Sequence, residues 1–319
     1  MNQLQLFKKE FDHYIQQYLE QKIKNITRYT KDPFIISYVS YIKTIVLSAG
    51  KRIRPYASYL MYQSLGGKEV EKILRFLVSI ELFHSFCLIH DDIMDKANLR
   101  HNVSTVHKYV TDLLKKKKRL NELSRTGNSQ AILIGDLLFS WSQEILNLNK
   151  EFDQKITDNV KKIFYEMVYE VTVGQMIDVD ITTRKRISKK LLDQKTYLKT
   201  AGYSFIKPLQ IGAALAGKNT KKVEKFCKEL GLSMGIAFQI QDDLFDITSN
   251  EKQLQKTMSL DKSQNQHTHF THFKSLDAGK EIIEKNFSEA KNLVRKFSIK
   301  QGAKKKLLNL IDLVQTRTF

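Results

Sequence analysis

Proline is scarce in this chain: Pro33, Pro55 and Pro208 are the only three in 319 residues, beside 13 glycines. Both residue types break helices, one through its missing N–H and the other through its backbone freedom, so their scarcity favours an all-α protein. Strand and helix patterns do not alternate in the way a parallel sheet requires. The two cysteines, Cys87 and Cys227, are too few for a disulfide framework and too far apart for a close metal pair, which leaves reduced structural thiols. No window reaches the roughly 18 apolar residues of a membrane span, and the first residues are amphipathic and charged. A soluble, cytoplasmic protein is expected.

What is present is helical periodicity. Apolar residues recur at helical spacing over 4–26, 34–47, 56–65, 73–94, 131–148 and 156–179, then over 191–200, 205–215, 222–230, 233–247, 278–297 and 303–314. The pattern predicts a bundle with long central helices. No break between segments has the composition of an interdomain linker, so residues 1–319 read as one domain, with a polar insertion loop at about 111–129 outside its core. The 53 basic residues exceed the 34 acidic ones, a net charge of +19 that suits phosphorylated ligands, anionic lipid or nucleic acid. The densest basic run, Lys115 to Arg119, lacks the interleaved aromatics or glycines of nucleic-acid modules, which argues against nucleic acid and leaves peripheral membrane contact open.

One acidic pattern occurs twice, at Asp91-Asp92-Ile93-Met94-Asp95 and at Asp242-Asp243-Leu244-Phe245-Asp246. Carboxylates four residues apart share a helix face, so Asp91 converges with Asp95 and Asp242 with Asp246. A single copy would more often be a solvated acidic face. Here the flanks, Phe86 to Ile89 and Ile236 to Phe238, are too apolar for that, and carboxylates beside a core need a counter-cation. Hard divalent cations such as Mg²⁺ take a few carboxylates and complete their shell with water and phosphate oxygens, which points to a diphosphate ligand.

The order of motifs is more specific than any one of them. Gly50-Lys51-Arg52-Ile53-Arg54-Pro55 is followed by the first acidic cluster, then Gly174-Gln175-x-x-Asp178, Lys199-Thr200, and Gln241 with the second cluster. This order resembles the trans-polyprenyl diphosphate synthases, the family of farnesyl and geranylgeranyl diphosphate synthases, over roughly residues 45–268. The resemblance implies an isoprenoid-synthase-type bundle around a central cavity, and a homodimer. By the same resemblance Asp91, Asp95 and Asp242 are ligands of three Mg²⁺ ions, while Asp92, Asp243 and Asp246 act from the outer shell. Arg100, Lys199 and Lys256 neutralise the departing diphosphate, with Thr200 and Gln239 beside the reacting carbons. Gly50, Lys51, Arg54 and His84 form the pocket for isopentenyl diphosphate, the partner of an allylic diphosphate.

The implied reaction is ionisation of the allylic C–O bond, attack of the isopentenyl double bond on the cation, and loss of a proton. Phe86 and Cys87, five and four positions before Asp91, correspond to the floor of the product tunnel, and a large aromatic there resembles the pattern of a geranylgeranyl synthase. Farnesyl or longer products stay open. The chain departs from the family at His101 and Asn102, where Arg and Gly are usual, and at Gln255 and Gln266. The first departure weakens diphosphate binding and makes it pH dependent, since histidine titrates near neutrality. A regulatory partner subunit of a heteromeric synthase is the non-enzymatic alternative, although both acidic clusters are intact, and the departures at His101 and Gln266 leave room for a weakly active enzyme as well. A metal phosphohydrolase built on His90-Asp91 leaves the second cluster unexplained.

Overall fold

The computed structural model describes residues 3–48, 50–119, 121–254 and 275–316, and side chains are described everywhere among these except over 246–254. The described residues form α1 (Gln3–Ile26), α2 (Pro33–Leu47), α3 (Ile53–Ser64) and α4 (Val70–Met94), then strands β1 (Leu99–Arg100) and β2 (Val103–Ser104). After these come α5 (Val106–Lys116), α6 (Leu123–Leu148), α7 (Gln154–Ile181), α8 (Lys189–Lys195), a π-helical segment Thr196–Ile206, α9 (Lys207–Leu215), α10 (Lys221–Leu254), α11 (Leu276–Lys296) and α12 (Gln301–Gln315). Among the described residues the fold is all-α apart from the two short strands. It divides into two compact units, Met1–Tyr56 with Glu69–Asp153, and Ala57–Lys68 with Gln154–Phe319.

In the first unit α4 is the central helix, packed against α1, α2 and α6. Ile73, Leu74, Phe76, Leu77, Val78, Ile80, Leu82 and Phe83 are all buried. A helix enclosed on several sides carries apolar residues around its whole circumference, and this one is long and apolar enough to cross a membrane by length and composition. That corrects the expectation that no segment reaches such a length. With 67% of its apolar window buried, α4 is a core helix of the unit. The start of α2 is set locally: Pro33 opens the helix, and the Asp32 carboxylate accepts from the N–H groups of Phe34 and Ile35 at 2.9 and 3.0 Å.

Two further differences from the sequence reading have local causes. The strands pair antiparallel, Leu99 with Ser104 and Arg100 with Val103, around a two-residue turn in which His101 and Asn102 have φ of 49° and 64°. Positive φ at both central positions matches the twist of a hairpin, and Asn is among the few non-glycine residues that tolerate it. The polar stretch expected as a loop at 111–129 is mostly helix. Val110, Thr111 and Leu114 are buried on α5, whose last turn places Lys115 and Lys116 where the helix dipole favours cations, and α6 starts at Leu123. Among the described residues, 117–119, 121 and 122 lie between the two helices.

In the second unit the π-helical segment is the central feature, in contact with α7, α8, α9 and α10. Glycines let it approach so closely. A Cβ on Gly174 of α7 would lie 2.7 Å from the Lys199 nitrogen, and one on Gly235 of α10 would lie 2.3 Å from the Ala201 Cα. The two helices expected at 222–230 and 233–247 are one helix, α10, running through Gly231.

Candidate active site

The first unit gathers a basic corner and an acidic corner on one helix. Arg54, in the first turn of α3, donates from Nη1 to Nε2 of His84 on α4 at 3.0 Å. Desolvation, then the charges of Arg54, Arg52 and Arg100, hold the His84 imidazole well below its ordinary value of 6.5. A neutral ring accepts at Nε2 and keeps its proton on Nδ1. Lys51, three residues before Arg54, is exposed, and Gly50 is half-buried. Two turns further along α4 lies the first acidic cluster. Asp92 is 2% exposed, and its Oδ1 accepts from Arg100 Nε at 2.7 Å and pairs with Arg100 Nη2 at 2.6 Å. Burial raises the Asp92 carboxyl above its ordinary value, with Arg100 opposing. Arg100 Nη2 also lies 3.9 Å from Asp91 Oδ2.

Asp91 is half-buried, and Asp95 is exposed at the C-cap of α4, its N–H donating to the Asp91 carbonyl at 2.8 Å. Among the described residues no group of three or more His, Cys, Asp or Glu side chains makes a metal shell by itself. The donors at this turn are carboxylate oxygens. Such a set fits a hard divalent cation that draws its other ligands from water and substrate phosphate. His101, exposed at the hairpin turn, is held below its ordinary value by partial desolvation and by Arg100 and Arg52. His90 does not serve the acidic cluster. It meets the Ile132 carbonyl at 3.2 Å, in space left by Gly135 of α6.

The second unit holds the remaining candidates. The Asp178 carboxylate pairs with Lys199 and, at 3.0 Å, with Lys195. Burial works against its charge, but the two lysines outweigh burial and lower its pKa. The Thr200 hydroxyl donates to Gln239 Oε1 at 2.6 Å, and Gln239 Nε2 donates to Asp243 Oδ1 at 2.9 Å, so the π-helical segment is tied to the second acidic cluster. Asp243 is buried and Asp242 half-buried. Lys199 and Thr200 therefore sit in a π-helix, a rare geometry frequent at functional sites. The Asp246 side chain, Lys256 and Gln266 lie outside the described residues.

Phe86 belongs to an aromatic cluster. Its ring centroid lies 5.7 Å from Phe83, 4.6 Å from His90 and 5.2 Å from Phe139 of α6, while Cys87 is half-buried. Sequence reading singled out Phe86 but not Phe139, since nothing in the local pattern says which α6 residue meets α4. It also gave Arg52 no role, although the charge of Glu81 in an apolar helix signals a buried partner.

This set of motifs is that of a known family, whose polyprenyl synthetase model matches residues 37–309. The chain belongs to the polyprenyl synthetase family. It is a prenyltransferase of the polyprenyl diphosphate synthase type. A short chain isoprenyl diphosphate synthase of Methanocaldococcus jannaschii is 32% identical over 79% of this chain and 68% of its own. A geranylgeranyl diphosphate synthase of Sulfolobus acidocaldarius is 31% identical over 84% of this chain and 74% of its own. With a second geranylgeranyl diphosphate synthase, from Methanosarcina mazei, included, the chain spans 63–74% of the length of these curated relatives. The fold of this prenyl synthase is that of a geranylgeranyl pyrophosphate synthase from Corynebacterium glutamicum, solved with isoprenyl diphosphate and magnesium, at a TM-score of 0.85 and 21% identity over 99% of this chain and 100% of that one.

Proposed function

We propose that this prenyl synthase condenses isopentenyl diphosphate with an allylic diphosphate, in a Mg²⁺-dependent reaction, to a short-chain (E)-polyprenyl diphosphate, geranylgeranyl diphosphate being the favoured product. One observation carries the reading: α4 bears His84 hydrogen-bonded to Arg54 and, seven residues on, Asp91 and Asp92 with Arg100. At 1.5 Å per residue these corners are about 10 Å apart along the helix, a spacing suited to two diphosphates whose carbon ends must meet. Lys51, Arg54 and His84 take isopentenyl diphosphate. By the family resemblance, Asp91, Asp95 and Asp242 would be the Mg²⁺ ligands for the allylic diphosphate, and three ions per site is carried from the same resemblance.

When bound, Mg²⁺ neutralises charge on the diphosphate oxygens and so promotes their departure. The protein's own groups do the rest. Arg100, oriented by Asp92, and Lys199, held by Asp178, add fixed positive charge where negative charge develops on the leaving group. Thr200 and Gln239 form a polar pair beside the allylic carbon. The allylic C–O bond ionises, the isopentenyl double bond attacks the resulting allylic cation, and the proton lost in forming the new double bond goes to the released diphosphate. Phe86, backed by Phe83 and Phe139, closes the tunnel and supports a product of the geranylgeranyl class rather than a longer one.

The reading places one polyprenyl synthase domain over the chain, supported by a family match that runs through both units. It makes the enzyme a cytoplasmic homodimer. Exposed Ile132 and Leu133 on α6 support self-association, and the net charge of +19 supports contact with anionic surfaces. Calorimetric titration tests the metal assignment. Geranyl diphosphate should bind wild type only with Mg²⁺ and should fail to bind Asp91→Asn, whereas metal-independent binding in both contradicts it.

A further inference from the structure

We propose that Arg52 is a positioning residue for isopentenyl diphosphate, tying the Lys51–Arg54 segment to α1 and α4 without touching substrate. The inference rests on the reading that Lys51, Arg54 and His84 bind that diphosphate. Arg52 is the buried member of its basic run, 4% exposed between exposed Lys51 and half-buried Arg54. Its guanidinium uses three nitrogens on three partners. Nε donates to Asp12 Oδ1 of α1 at 2.7 Å, Nη1 to Glu81 Oε1 of α4 at 2.5 Å, and Nη2 to the Val46 carbonyl at the end of α2 at 2.7 Å.

The backbone shows the same constraint. Arg52 has φ of 54°, a left-handed conformation costly for a residue with a side chain, and its carbonyl accepts from Tyr56 N–H at 3.0 Å to start α3. A Cβ on Gly50 would lie 3.0 Å from Arg52 Nη1, so the guanidinium folds back beneath Gly50 and uses the space of the missing side chain. Arg52 and Arg54 are therefore anchored on neighbouring turns of one helix, the first on Glu81 and the second on His84. Two such anchors set the angle at which the segment leaves α2. Asp12 lies outside the family match at 37–309, so the N-terminal helix holds the substrate segment from beyond the matched core.

Errors of about 1 Å in placing a reacting group can cost about a hundredfold in rate. The test is steady-state kinetics with both substrates varied, on R52K, R52M, D12N, E81Q and K51A. R52M should raise KM for isopentenyl diphosphate about tenfold or more, leave KM for the allylic diphosphate within about twofold, and be partly rescued in R52K. D12N, which keeps the Arg52–Glu81 pair, should shift the same constant in the same direction by a smaller factor, and it answers the question should R52M or E81Q fail to fold. If K51A raises KM for isopentenyl diphosphate while folded R52M and D12N leave it unchanged, the positioning role is overturned and the substrate assignment stands. If K51A also leaves it unchanged, the substrate assignment fails, and the positioning role fails with it. Equal effects of R52M and D12N on both substrates mark a merely structural residue and overturn the proposal.

Discussion

Arg100 lays two nitrogens, Nε and Nη2, on the single oxygen Oδ1 of Asp92, a carboxylate nearly shut off from solvent. Asp92 thus sets where the hairpin cation stands. An Asp92→Asn substitution keeps the shape but removes the charge, leaving Arg100 without its fixed orientation. Breaking a well-buried pair costs about 3–5 kcal/mol, and Arg100, being partly exposed, loses less, about 1–3 kcal/mol. Thermal denaturation should show that loss together with a fall in kcat of tenfold or more. Unchanged kcat in a destabilised variant shows that Arg100 does not act through Asp92.

Gly174 predicts a packing effect on chemistry. Its absent Cβ lies 2.7 Å from the Lys199 backbone nitrogen, so Gly174→Ala must push the π-helical segment away from α7. The strain should cost about 1–3 kcal/mol, and Lys199 should lose its seat on Asp178. Activity should fall more than stability, as read from kcat beside a chemical denaturation midpoint. Retention of full activity separates the lysine's position from this contact.

The tunnel floor gives a qualitative outcome. Phe86→Ala opens the cluster with Phe83, His90 and Phe139 and should lengthen the product, and Phe139→Ala should do the same to a lesser degree. Chromatography of the dephosphorylated products reads this directly, and unchanged length in Phe86→Ala removes the residue from that role.

Acid sensitivity follows from His84. Its folded pKa lies well below the ordinary 6.5, so as pH falls through about 6.5 the unfolded chain takes up a proton that the folded one refuses. Stability contributed by the neutral ring is present above that range and declines below it, down to the folded pKa. The melting temperature of wild type should drop between pH 7 and 5, and His84→Gln should flatten that drop. Equal slopes in the two proteins place the acid sensitivity elsewhere, with His101 and His107 also held low.

The all-helical class was legible because apolar spacing and scarce proline are local properties, and the acidic clusters because their residues are neighbours along one helix. What escaped the sequence depends on distance in space. The π-helical turn at Lys199-Thr200 is set by Gly174 and Gly235, on α7 and α10 respectively. The hairpin at 99–104 is two residues per strand, too short for an alternating pattern to show. Helix continuing into the polar stretch from Thr111 was hidden by its lysines, although Val110 and Leu114 keep the helical period. Arg52 was hidden for a similar reason, since a cation in a basic run reads as surface until Asp12 and Glu81 are seen around it.

The central claim is condensation of two diphosphates, and one product ladder tests it most directly. Purified protein is incubated with Mg²⁺ and labelled isopentenyl diphosphate together with dimethylallyl, geranyl or farnesyl diphosphate in separate reactions. The extracts are then dephosphorylated and chromatographed. The account predicts label in alcohols that lengthen by five carbons per step and accumulate at geranylgeraniol, with no label incorporated when Mg²⁺ is chelated. Absence of labelled product from every starter contradicts it.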